Sequence, residues 1–226
     1  HDFANYFFGG EFFLKGEFST AIYDPGYFNQ KIAEIGFEGL FLNFSPNTPF
    51  LAIFYSPFTA LELIQAKFVF NIISIIVFLI SLYRIIKYLR IEKQPLLILI
   101  PLIFFIPIRN NIIFGQPYLL LFSFLIEGYL QYEKQNKLFS ILLWAIATAL
   151  KLSPGILVFF LISSRDWKGI GLFSLVGVFL ILITIMMTGW DIIPFFLSKI
   201  FIKTSFGEIV STGFHTPNQS LLMLYK

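Results

Sequence analysis

The chain has 226 residues, 57% of them hydrophobic and 19% aromatic, with 31 Phe and a mean hydropathy of +0.81. Only 13% are charged, too few to cover a soluble domain of this size, so composition predicts an integral membrane protein. The formal net charge of +3 lies in short islands between apolar runs, which excludes a continuous nucleic-acid-binding surface, and the absence of Cys excludes thiol catalysis, disulfides and thiolate metal sites.

Residues 1–61 read as a long outer loop. Its aromatic clusters are separated by Gly9-Gly10, Gly16, Asp24-Pro25-Gly26 and Ser45-Pro46-Asn47-Thr48-Pro49, all turn or breaker signals. Tyr6 to Leu14 and Phe28 to Ile35 are predicted as short amphipathic helices lying in the membrane interface, neither long enough to span. The first clear span runs from Leu63 to Tyr83, close to the roughly 20 residues a bilayer core requires. It stops at Arg84, Lys87, Arg90 and Lys93, a cytoplasmic loop by the positive-inside rule. Leu96 to Ile108 is interrupted by Pro101 and Pro107 and ends at Arg109-Asn110-Asn111. Such a helix is tolerated where neighbouring protein satisfies the freed backbone groups or where it borders a polar cavity.

Tyr118 to Tyr132 then returns to Lys134 and Lys137, and Leu138 to Leu150 crosses outward. Gly155 to Ser163 comes back to Arg165 and Lys168, and Gly169 to Met187 crosses outward again. Transmembrane helices thus occupy 62–187, a second extracytoplasmic loop 188–220, and a further helix begins at 221–226. The chain opens at His1 inside a loop and closes at Lys226 within an apolar run, which predicts a fragment truncated at both ends. The three inner loops hold eight of the sixteen Lys and Arg. Asp2, Arg109, Gln116, Lys151, Asp191, His215, Asn218 and Gln219 all fall on the opposite face.

Each outer polar group has a chemical and a structural reading. Asp2 can act as general base toward an acceptor hydroxyl or bind a cation beside a phosphate; otherwise it is a solvated loop acid. Arg109-Asn110-Asn111 and Gly115-Gln116-Pro117 form an outer turn in which Gln116 offers both donor and acceptors, and which can equally serve as a capping turn. Lys151 stands between two apolar runs too short to be free spans. An ionisable residue there points to a phosphate partner, against the alternative of a Lys snorkelling to the interface. His215-Thr216-Pro217-Asn218-Gln219-Ser220 concentrates groups able to donate to phosphate or to bind sugar hydroxyls. No phosphate-binding Gly-rich loop, dinucleotide fingerprint, zinc motif or catalytic Ser/His/Asp pattern is present.

Taken together and in order, HDF with IYDP, NFSPNTPFLAIFYSPF, GQPYLLL, ALKLSPGILVFFLISSRDWKG and HTPNQSL resemble glycosyltransferase family 87 of the GT-C superfamily. The resemblance implies an all-α integral membrane bundle of full and broken helices that moves a sugar, often mannose, from a polyprenyl-phosphate donor to a lipid or glycan acceptor. It places the active site on the extracytoplasmic face of the cytoplasmic membrane. Asp2 takes the position of the family's outer-loop base. Lys151, Arg109 and His215 are the candidates for the donor phosphate, and Gln116, Asn218, Gln219 and Tyr6 for the rest of the substrate. No cofactor is expected, a divalent cation being possible, and no nucleic acid partner. The other class compatible with broken helices and an outer Lys is a transporter or lipid carrier without chemistry.

Overall fold

A computed structural model of the chain describes residues 2–37, 39–93 and 106–202. Every regular element among these residues is helical, as expected for backbone that must satisfy its own polar groups in lipid. We label the helices α1 (Asp2–Leu14), α2 (Pro25–Glu34), α3 (Pro49–Tyr55), α4 (Leu63–Leu89), α5 (Ile106–Phe114), α6 (Tyr118–Glu133), α7 (Lys137–Leu150), α8 (Leu157–Ser163), α9 (Trp167–Thr188) and α10 (Ile192–Phe195). The last widens into a π-type turn over Phe196–Phe201.

Two of these, α4 and α9, are long and apolar enough to cross a membrane; α5 and α6 together would make a third, bent by 119° at their junction. Both long helices expose bulky apolar side chains, Ile64 and Phe68 on α4 and Leu175 and Met186 on α9, which suits lipid rather than water. α4 and α6 run parallel. Phe78 packs on Phe122, Arg84 pairs with Glu127 at 2.7 Å, and Tyr88 donates to Glu133 at 3.0 Å, so contacts advance together along both helices. α7 returns antiparallel to α6, with the Trp144 indole donating to the Leu125 carbonyl at 3.2 Å. Gly128 makes room for that indole, since a Cβ there would run into its nitrogen.

One end of this bundle is tied by Asp166, which caps α9 through the Gly169 amide at 3.0 Å and accepts from Lys137 at 2.8 Å and Tyr132 at 2.9 Å. The Lys137 hydrogen bond, followed by those of Gly169 and Tyr132, holds the Asp166 carboxyl below its ordinary range against the opposing effect of burial.

The first sixty residues contain the two expected short helices as α1 and α2, with α1 beginning earlier, at Asp2, and α2 at Pro25. α1 is buried around nearly its whole circumference, through Phe3, Ala4, Tyr6, Phe7, Phe8 and Phe12. Gly9 and Gly10 sit inside α1 instead of breaking it. A Cβ on Gly9 would enter the Phe44 ring, and one on Gly10 would come within 2.9 Å of the Ser56 backbone, so both glycines serve close packing. α2 starts where Asp24 accepts the Tyr27 amide at 2.8 Å and Pro25 supplies the first helical position.

The result is an aromatic layer continuous with the start of α4 and α6, the end of α7, and α10. Phe12 meets Phe28 edge-on at 5.7 Å, Tyr23 meets Phe44 at 5.5 Å, and Phe3 and Tyr6 flank Tyr55 at 5.7 and 5.0 Å. Contacts of this kind are worth about 0.5–1.5 kcal/mol each beyond area burial.

Two further expectations change. Arg109, Asn110 and Asn111 do not form a turn but lie within α5, which continues to Phe114; only Gly115-Gln116-Pro117 makes the reversal. The second outer loop is helical over Ile192–Phe195 and Phe196–Phe201, whose Phe196 and Ile200 complete the aromatic layer.

Candidate active site

The site is assembled where three chain segments meet at the end of the bundle opposite Asp166. The first is the start of α1. Asp2 occupies its first turn and Tyr6 stands one turn further on the same face, so helical spacing alone brings the carboxylate and the phenol together.

The second segment is the turn between α5 and α6. Gly115 adopts φ +66°, and an added Cβ would lie 2.7 Å from Cβ of Phe3, so the turn is pressed onto α1 at a position that only Gly fits. The Gln116 amide closes the end of α5 on the Asn111 carbonyl at 2.9 Å, and the Gln116 side-chain Nε2 donates to the Asp2 carboxylate. Pro117 then leads into α6, whose first residue is Tyr118. Gly115→Ala is expected to be doubly strained, by its positive φ and by Phe3, losing about 1–3 kcal/mol of stability. Thermal unfolding in detergent checks this, and an unchanged midpoint would contradict the packing described.

The third segment follows α7. The helix stops at Leu150, Lys151 turns to an extended conformation, and Pro154 prevents the helix from resuming in register. The Lys151 ammonium meets the Tyr118 hydroxyl and lies 4.2 Å from the Tyr118 ring centroid, a cation–π distance. Thr48 donates to the carbonyls of Ala149 at 2.6 Å and Leu150 at 3.2 Å, fixing the Pro46–Thr48 segment beside the point where Lys151 leaves the helix.

These groups border a cavity of about 340 Å³ whose polar lining comes from Tyr6, Asn47, Thr48, Tyr118, Lys151 and Ser153. Asp2 is not in the lining itself but is one helical turn from Tyr6 and bound to Gln116, which precedes Pro117, and Tyr6 and Pro117 both line it. The Tyr6 phenol is kept protonated, its pKa pushed up first by burial and then by the nearby Asp2 and Tyr118, so it presents an O–H donor. Beside this cavity lies a second one of about 140 Å³, almost wholly apolar, between α7, α9 and α10; Thr48, Leu152 and Phe196 line both.

Of the residues singled out in the sequence, Asp2, Tyr6, Gln116 and Lys151 are thus brought to one place. Arg109 is exposed on α5 and takes no part in the cavity lining. His215, Asn218 and Gln219 lie outside the described residues. Tyr118, Asn47, Thr48 and Ser153 were not expected in the site. Tyr118 directly follows the Gly-Gln-Pro turn, which was the available signal. Among the described residues no group of three or more His, Asp or Glu is placed to hold a metal ion.

The fold and the cavity define an all-helical membrane protein with a carboxylate, two phenols and an ammonium gathered at one end of its bundle. The chain belongs to glycosyltransferase family 87, whose family model matches residues 46–224. The protein is therefore a membrane glycosyltransferase working between a sugar donor and an acceptor, and the transporter reading is set aside. The match spans Gln116, Tyr118 and Lys151 and begins beyond Asp2 and Tyr6. No curated protein and no solved structure matches the chain.

Proposed function

We propose that the enzyme transfers a hexose, mannose by the family resemblance, from a polyprenyl-phosphate donor to a lipid or glycan acceptor at the extracytoplasmic face. The observation that carries this reading is the junction of two unlike cavities. A chamber with an ammonium and several hydroxyls opens beside an apolar groove, and three residues belong to both. A sugar phosphate attached to a hydrocarbon chain has this division of polarity, whereas a nucleotide sugar would leave the groove empty.

In this reaction Asp2 takes the proton from the acceptor hydroxyl as its oxygen attacks the anomeric carbon. The bond from that carbon to the phosphate oxygen breaks, and its electron pair leaves with the polyprenyl phosphate. Lys151 faces the growing negative charge, with the Tyr6 and Tyr118 hydroxyls as additional donors. Gln116 orients the Asp2 carboxylate by occupying one oxygen, leaving the other for the acceptor. Arg109, on the exposed side of α5, has no part in this step; His215 remains a candidate donor to the lipid phosphate by its chemistry, and Asn218 and Gln219 remain assigned to the substrate through the family resemblance.

Gly177 of α9 lines the groove, and a Cβ added there meets nothing within 4 Å. Gly177→Trp is expected to fill the groove without disturbing the bundle. Transfer from a long-chain polyprenyl-phosphate mannose should fall at least about tenfold, the loss of roughly two buried carbons of the chain, while a donor truncated to one or two isoprenes is affected much less. Equal loss with both donors would place the chain elsewhere. The donor class itself is tested by supplying polyprenyl-phosphate mannose or a nucleotide-linked mannose to the purified protein. Transfer from the nucleotide sugar alone would overturn the proposal.

A further inference from the structure

The reversal between α5 and α6 ends a helix in a way that leaves two backbone carbonyls without their usual partners. The Ile113 carbonyl would normally accept from residue 117, but Pro117 has no N–H. The Ile112 carbonyl would accept from the Gln116 amide, but that amide is taken by the Asn111 carbonyl at 2.9 Å. Both vacancies are filled from another helix. The Lys67 ammonium donates to the Ile113 carbonyl at 2.6 Å, and the Asn71 side-chain amide donates to the Ile112 carbonyl at 2.9 Å. Lys67 and Asn71 are four residues apart and so share one face of α4. A cation at a helix C-terminus is also where the helix dipole favours it.

We infer that Lys67 and Asn71 are positioning residues that clamp the α5–α6 turn and thereby set the Gln116 side chain on Asp2. The inference rests on the reading of Asp2 and Gln116 as parts of the active site. The turn is gripped from two sides, by Phe3 of α1 against Gly115 and by the two α4 donors on the carbonyls preceding it. A helix end with satisfied carbonyls is rigid, whereas one released from α4 must twist toward whatever donors it can reach. Gln116 follows those carbonyls by three and four residues, so such a twist moves its amide off the carboxylate. The first long span is in this way coupled to the site without lining it.

The absence of Cys from the chain allows a direct test. D2C and Q116C are introduced together in the whole membrane-embedded protein, and bridging by a two-carbon bis-thiosulfonate is followed by peptide mass spectrometry. The pair is expected to bridge readily in the otherwise unaltered chain. Adding N71L or K67M should slow bridging about tenfold, as expected of a shift of an ångström or more, while K67R retains the reference rate. In the chain that keeps Asp2 and Gln116, N71L and K67M should lower kcat for transfer from polyprenyl-phosphate mannose by a similar factor with KM unchanged. K67R should again restore the rate, a pattern that general destabilisation would not produce.

N71D, equal in size and lacking the amide donor, supplies the same comparison where N71L fails to accumulate. Failure of D2C and Q116C to bridge in the unaltered chain would overturn the site itself. Bridging at an unchanged rate in N71L and K67M would overturn the clamp and leave the site standing.

Discussion

Asp2→Asn is expected to lower sugar transfer by about 10²–10⁴-fold, the contribution of a positioned general base, while leaving the protein folded. Asn keeps the shape of Asp and retains an oxygen able to accept from Gln116 Nε2, so the contact that ties α1 to the α5–α6 turn survives. What is lost is the group that can take a proton. The structural alternative makes a different forecast. An acid in the first turn of a helix is favourable to the helix dipole by about 0.3–1 kcal/mol, and if Asp2 did no more than this its replacement would cost a little stability and no activity. Transfer rate and unfolding midpoint, measured on the same preparation, separate the two. Full activity in Asp2→Asn would remove the carboxylate from the mechanism.

Lys151→Met is expected to cost about 10²–10³ in kcat, the range found when one donor to a developing negative charge is deleted. Met preserves most of the aliphatic stem, and it removes the ammonium that meets the Tyr118 hydroxyl and ring. The competing role is that of a cation at the C-terminus of α7, which Lys151 directly follows. In that role Lys151→Met would lower the thermal midpoint and leave turnover unaltered. Lys151→Arg is informative beside it. A guanidinium is planar and forked where an ammonium is a compact charge, so Arg should restore part of the rate without matching Lys. Unchanged kcat in Lys151→Met would move the phosphate away from this cavity.

The longer apolar helices were legible because hydropathy is a property of the chain itself. The apolar runs read at 63–83, 118–132, 138–150 and 169–187 correspond to α4, α6, α7 and α9 within a few residues at each end. The α4 boundary is the least accurate, because Arg84 and Lys87 are compatible with a helix that continues to Leu89 with its charged groups beyond the lipid. Residues 1–61 were harder. Glycine reads as a breaker when only its backbone freedom is considered, but Gly9 and Gly10 are selected by what touches them, Phe44 and the Ser56 backbone, and those neighbours are more than thirty positions away.

The site divides in the same way. Asp2, Gln116 and Lys151 stand out as polar groups in apolar surroundings, which a linear reading can see. Tyr118 does not, because tyrosine is ordinary at membrane interfaces, and its partner Lys151 is 33 residues further on. The Asp2–Gln116 contact joins residues 114 apart, and Lys67 and Asn71 read simply as polar residues near the end of a span until the carbonyls they serve are known.

The central feature of the proposed mechanism is a lipid phosphate seated with its head beside Lys151 and its chain in the groove. A polyprenyl phosphate carrying a photoreactive diazirine on the isoprene next to the phosphate tests this, with the labelled residues read by mass spectrometry. Labelling is predicted at Leu152 and Phe196, which line both cavities, and it should be suppressed by unlabelled polyprenyl-phosphate mannose. Labels confined to the exposed faces of α4 and α9, insensitive to that competitor, would contradict it.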